Sequence, residues 1–134
     1  MAKLIDIEGV GGVYEGTLAK AGVTSVEDLL KKGATPKGRA DLAKATGISG
    51  KLILKWMNHA DLFRINGVAG EYAELLEAAG VDTVAELAQR RPDNLVAAMA
   101  KTNAEKKLAR ALPVASMVTR WVEEAKKLPR AVEY

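Results

Sequence analysis

The chain has no cysteine, one histidine (His59), one phenylalanine, two tryptophans and three tyrosines among its 134 residues. Without cysteine there are no disulfides, no thiol nucleophile and no thiolate metal ligand. A single histidine makes a catalytic zinc site a poor reading of the composition. The sequence contains no G-x-x-x-x-G-K-[ST] loop, no H-E-x-x-H pair and no nucleophile elbow. Apolar runs fall far short of the roughly 20 residues a membrane-spanning helix needs. The start, MAKLIDIEG, carries acids where a secretion signal has its apolar stretch. The expectations are a protein that is no enzyme, takes no cofactor or metal, has no evident small-molecule substrate or membrane partner, and resides in the cytoplasm of a prokaryote.

What is present is a repetition. Residues 7–29 (IEGVGGVYEGTLAKAGVTSVEDL) and 65–87 (INGVAGEYAELLEAAGVDTVAEL) share eleven identities in 23 positions without a gap, at a shift of 58. Such self-similarity marks two copies of one structural unit. The copies are read as 1–64 and 65–134. Hydrophobic content of 49% supports one ordinary core, so the pair is expected to pack as one body.

The period and punctuation are helical throughout, and no segment reads as a strand. Gly22 stands where a left-handed residue ends a first helix, and Ser25 caps the next, with Asp28 three residues on. Thr35–Pro36 starts a helix that stops at Gly47. Another restarts after Ser49 and runs to Leu62 or Phe63, with Trp56 in its buried stripe. In the second copy Pro92 opens a helix to about Lys101. Residues 103–112 read as a further short helix carrying a seven-residue insertion, Pro113 opens the last helix, and Trp121 corresponds to Trp56. Residues after Leu128 read as a frayed tail. The fold class is therefore all-α, with about nine short helices in two pseudo-symmetric halves. The tyrosines Tyr14 and Tyr72 and the two tryptophans recur because each closes the core of its own copy, whereas His59 reads as a partly exposed surface residue.

Charge is distributed unevenly. Residues 31–60 carry Lys31, Lys32, Lys37, Arg39, Lys44, Lys51 and Lys55 against Asp41 alone, a balance of 7 − 1 = +6. Residues 65–89 carry Glu71, Glu74, Glu77, Asp82 and Glu86 and no base, a balance of −5. Opposite blocks of this size can steer a partner, including a second copy of the chain.

The segment Gly9–Val10–Gly11, between an apolar approach and an amphipathic helix, resembles the hairpin of the helix-hairpin-helix superfamily. The GV-G-YA-LL-AGV-TV-EL run at 65–87, the TPKGR-to-RI run at 35–65 and the LP-W-AKKL run at 112–128 resemble an uncharacterised bacterial family of that superfamily, a domain of unknown function with tandem repeats of this kind. The resemblance covers nearly the whole chain and implies a fold rather than an activity. From DNA-binding members of the superfamily it implies phosphate contacts at Gly9, Val10 and Gly11, and at Gly67, Val68 and Ala69. Ala69 departs from the glycine pattern and needs a backbone outside positive φ. Glu15, Glu71 and Glu74 stand where DNA-binding members carry bases.

Residues 39–56 also fit the spacing of a helix-turn-helix, with Gly47 at the turn and Ile48, Ile53 and Trp56 locking the two helices. Candidate DNA-contacting residues are then Lys37, Arg39, Ser49, Lys51, Lys55 and Asn58. The second copy has Leu112–Pro113 at that corner, so the fold does not require the pattern. The function expected is a non-enzymatic binding module, an adaptor or scaffold for protein partners that can self-associate. The alternative is a DNA-binding protein using the basic segment 31–55, the glycine hairpins, or both.

Overall fold

A computed structural model describes residues 3–68 and 70–134. The described residues are all helical where they are regular: a 3₁₀ turn at Leu4–Asp6 precedes eight α-helices, and no strand occurs among them. In order these are α1 Gly12–Lys20, α2 Val26–Lys32, α3 Pro36–Thr46, α4 Gly50–Leu62, α5 Gly70–Ala78, α6 Val84–Ala88, α7 Pro92–Lys106 and α8 Ala115–Lys127. The chain divides into two compact units, Met1–Asp61 with Ala131–Tyr134, and Leu62–Arg130.

Side-chain caps fix where helices begin. The Asp28 N–H donates to Ser25 Oγ at 3.1 Å, Gly38 N–H to Thr35 Oγ1 at 3.0 Å, and Glu86 N–H to Thr83 Oγ1 at 3.2 Å. Each satisfies one of the amides that a helix start leaves without an intrahelical partner. Pro36 and Pro92 open α3 and α7, where the missing N–H costs nothing. Helix α1 ends in a Schellman arrangement: Val23 N–H reaches Leu18 O at 2.9 Å, and Gly22 N–H reaches Ala19 O at 3.0 Å. Val81, Gly80, Leu76 and Glu77 repeat it at the end of α5. A base completes each end, with Lys32 Nζ donating to Ala21 O at 3.2 Å and the Arg90 guanidinium to Gly80 O at 3.0 Å.

In the first unit α1 packs on the 3₁₀ turn and on α3, and α2 packs on α3. Leu18, Val23, Val26, Leu29, Ile53, Trp56 and Met57 are fully buried there. In the second unit α8 packs on α6 and α7, and α5 on α7, around Leu75, Leu76, Val81, Leu87, Met99, Val118 and Val122.

Three expectations are corrected. Helix α7 runs on to Lys106, and 107–114 is an irregular connector rather than a short helix. Lys107 takes φ +53, and the Asn103 side chain clamps the backbone of Ala109, accepting its N–H at 2.9 Å and donating to its carbonyl at 3.0 Å. A side chain that pairs with backbone in this way competes directly with helix propagation. Residues 131–134 are docked on the first unit: Val132 is buried, and Glu133 N–H donates to Ala34 O at 2.7 Å. His59 is fully buried, within an unbroken buried run from Trp56 to Phe63.

Candidate functional site

The two glycine turns share one local geometry. Val10 N–H donates to Ile7 O at 3.0 Å and Val68 N–H to Ile65 O at 3.1 Å, each closing a four-residue turn. The third residues of these turns, Gly9 and Gly67, have φ +92 and +88, which side-chain-bearing residues adopt only with strain. A Cβ on Gly9 would make an ordinary contact with the Trp56 indole nitrogen at 3.5 Å, and one on Gly67 a tighter contact with that of Trp121 at 3.3 Å. Tyr14 meets Trp56 edge-on with centroids 5.0 Å apart, and Tyr72 meets Trp121 at 5.4 Å. The tyrosines are not sealed in: Tyr14 is exposed and Tyr72 half-buried.

Of the hairpin candidates, Val10 and Val68 are buried anchors, while Gly9, Gly11 and Gly67 lie at the surface. Gly11 is extended, at φ −90 and ψ −177, so its position does not require glycine. Ala69, its counterpart, lies outside the described residues. Glu15 occupies the first turn of α1 and Glu71 that of α5, so each turn is followed by a carboxylate. Beside the second turn, Asn66, Gly67, Met117, Arg120, Trp121 and Glu124 line a hollow of about 330 Å³. Asn66 N–H donates to Glu124 Oε1 at 3.1 Å, which places an anion at its rim beside Arg120.

Helices α3 and α4 do form a helix–glycine–helix corner. Gly47 is left-handed at φ +75, and Ile48, Ile53 and Trp56 are buried behind it. Its six candidate contact residues do not share one fate. Arg39 is buried, donating to Gly33 O at 2.8 Å and Glu133 O at 2.6 Å, with its guanidinium 5.9 Å from the Tyr134 ring centroid. Asn58 is buried and accepts the Tyr134 hydroxyl at 2.7 Å. Both hold the chain's last residues and neither is presented to a groove. Lys37 is exposed and paired with Asp41 at 2.9 Å. Ser49 Oγ accepts the Leu52 N–H at 3.2 Å as a cap. Lys51 and Lys55 are exposed on the first half of α4, and Lys31 and Lys44 are exposed nearby in sequence on α2 and α3.

A surface that periodicity did not single out lies on α1. Leu18 is the only residue of this helix that is buried. Val13 is 83% exposed and Tyr14 38% exposed, and Cβ atoms on Gly11, Gly12 or Gly16 would meet nothing within 4 Å. The matching turn of α5 carries a surface ion pair between two exposed side chains. Arg110, in the 107–114 connector, donates through its backbone N–H to Glu71 Oε2 at 3.3 Å and through Nε to Oε1 at 2.9 Å. The corresponding connector of the first unit is only Gly47–Ser49, and residue 13 is valine where residue 71 is glutamate.

Among the described residues no group of three or more His, Cys, Asp or Glu side chains could hold a metal ion. No helix among them is long and apolar enough to cross a membrane. The fold and surfaces define an all-helical protein built on recurring glycine-turn and helix segments. The chain belongs to the family described as Domain of unknown function (DUF4332), whose model matches residues 8–128. No curated protein and no solved structure matches it.

Proposed function

We propose that this is a non-enzymatic protein-binding module, an adaptor or scaffold of two helix-hairpin-helix-like units working in the bacterial cytoplasm, and that α1 is a face it presents to partners. The observation carrying this reading is the exposure of Val13 and Tyr14 on a helix whose outward side is otherwise glycine, alanine and lysine. Apolar side chains on an open, low-relief helix face allow close approach of a partner backbone, and a half-exposed tyrosine backed by tryptophan is a rigid anchor. The arrangement of the basic segment favours the same reading, because Arg39 is committed to the fold and Lys32 and Lys37 already have partners within it.

The test is a photo-crosslinking amino acid at position 13. Discrete protein adducts, lost when Tyr14 is replaced by Glu, are the expected result. Adducts absent from a protein that is otherwise folded and expressed would overturn the reading.

A second reading has one observation behind it: the left-handed Gly47 corner presents Lys51 and Lys55 on the exposed first half of α4. As a DNA surface it requires duplex affinity that falls steeply with salt and disappears with Lys51→Glu/Lys55→Glu. No anisotropy change at low salt would remove it.

A further inference from the structure

The first unit already holds a short segment in a groove, and each contact says what the groove reads. The segment is Ala131–Tyr134, which packs with Met1–Asp61 as part of that unit. The Glu133 N–H donates to Ala34 O at 2.7 Å, and the Glu133 carbonyl accepts from the Arg39 guanidinium at 2.6 Å. Val132 is buried. The Tyr134 hydroxyl donates to Asn58 Oδ1 at 2.7 Å, and its ring centroid lies 5.9 Å from the Arg39 guanidinium carbon. Between them the Glu133 side chain is exposed. This is how an extended peptide is recognised: main-chain bonds supply affinity, and alternate side chains supply specificity.

The second unit shows that the repeated scaffold does not need these groups. Helices α3 and α7 each open on proline, and the fourth residue of each is buried: Arg39 in α3, Leu95 in α7. Where the second unit has leucine, the first buries a charge, which is costly unless carbonyls meet it. Asn58 stands two residues after Trp56 and is buried, whereas Glu123, two residues after Trp121, is exposed and lies 3.7 Å from Lys126. A tail needed only for packing would be held as well by apolar contacts. Buried polar groups add a geometric selection of what they hold.

We infer that this groove is a peptide-recognition site for an extended segment of another protein, one carrying a valine-sized aliphatic residue and a tyrosine two positions later, and that Ala131–Tyr134 is its built-in competitor. The tail is lightly held, by one buried side chain and a few polar contacts, and Leu128–Arg130, which join it to α8, lie outside any helix. A second copy's tail would only remake in trans the contacts already made in cis, at a loss of association entropy, so exchange between copies is disfavoured. A foreign segment competes with a tether whose effective concentration is of the order of millimolar. Strong ligands displace the tail and weak ones do not. The site is separate from the α1 face and does not depend on it.

The test compares the unaltered full chain with the full chain carrying Val132→Asp/Tyr134→Ala, whose tail no longer fits. The probe is a fluorescent peptide of residues 129–134, Pro-Arg-Ala-Val-Glu-Tyr, blocked at both ends so that no terminal charge contributes. By anisotropy the altered chain should bind it about tenfold or more tighter than the unaltered chain, because its own tail no longer competes. A peptide with aspartate in place of its valine should bind neither chain. A peptide ending in phenylalanine should bind more weakly, and Asn58→Ala in the altered chain should erase that difference, since Asn58 is the acceptor of the hydroxyl. If the altered chain is less stable than the unaltered one, the peptide must raise its melting temperature. No binding and no change in melting would overturn the site. Binding indifferent to both the tyrosine hydroxyl and Asn58 would place the peptide elsewhere and overturn it equally. Dimers of the unaltered chain that disappear with Val132→Asp/Tyr134→Ala would overturn the foreign partner in favour of a second copy. None of these outcomes involves position 13, whose crosslinks test the α1 face alone.

Discussion

Arg39 donates to the carbonyl of Glu133 at 2.6 Å, across 94 residues of chain, while its other terminal nitrogen holds Gly33 O at 2.8 Å. One buried guanidinium thus ties α3, the end of α2 and the last residues of the chain together. A planar fork carries its donors on separate nitrogens in fixed directions and so spans two carbonyls set apart, whereas a lysine must reach both from a single nitrogen. Arg39→Ala should lower unfolding free energy by about 2–3 kcal/mol, the scale of lost hydrogen bonds to a buried charge. Arg39→Lys should recover only part of it. Chemical denaturation measures both, and hydrogen exchange at Glu133 should rise in parallel. Equal stability of Arg39→Ala and the unaltered chain would show that the contact contributes nothing.

Helix α3 approaches α2 so closely at Gly38 that a Cβ there would run into the Lys32 carbonyl oxygen. The obstacle is backbone, so no rotamer change relieves it. Gly38→Ala should destabilise by about 1–3 kcal/mol, the usual range for overpacking, although alanine is the better helix former. Thermal melts of this variant beside Gly16→Ala make a sharp comparison. Gly16 lies mid-helix with open space around its missing Cβ, and its replacement should stabilise by about 0.5–1 kcal/mol.

The same contrast applies to the first glycine turn. Gly9→Ala should cost about 1–2 kcal/mol for a left-handed backbone and disturb the environment of Trp56. Its fluorescence spectrum should shift with the loss of stability. Gly11→Ala, at an extended position in open space, should leave both stability and spectrum nearly unchanged.

Much of this architecture is written in local punctuation. Thr35–Pro36, Gly47, Ser25 and Gly22 each act on the neighbouring three or four residues, and each does in the structure what its chemistry requires. The connector was less legible because Lys-Leu-Ala-Arg-Ala is good helix-forming composition; Asn103 bends it away by gripping Ala109, a pairing invisible to propensity. The docking of the last four residues, and with it the burial of Arg39 and Asn58, depends on contacts across 94 and 76 positions. His59 was misread for a related reason: the latter half of α4 is buried on every side, so no polar stripe distinguishes its edge. The candidate surface on α1 is legible only by comparing the copies. Residue 13 is valine where residue 71 is glutamate, and the longer connector belongs to the second copy, but that its Arg110 pairs with Glu71 is a fact of structure.

Asp28 supplies a pH-dependent contribution whose sign is fixed. Its carboxylate accepts the Thr24 N–H at 3.1 Å and the Thr24 hydroxyl at 2.9 Å, and the backbone bond is the larger cause of a pKa held below the ordinary aspartate value. Ser25 and the charge of Lys32 act in the same direction. A group depressed on folding stabilises the native state above its unfolded pKa and loses that contribution as pH falls through its folded value. The stability difference between the unaltered chain and Asp28→Asn should therefore be constant near neutrality. It should begin to shrink below about pH 4, where an unfolded aspartate takes up its proton. Melting both proteins across that range tests it, and a difference that stays flat or widens towards acid would show that Asp28 is not the group responsible.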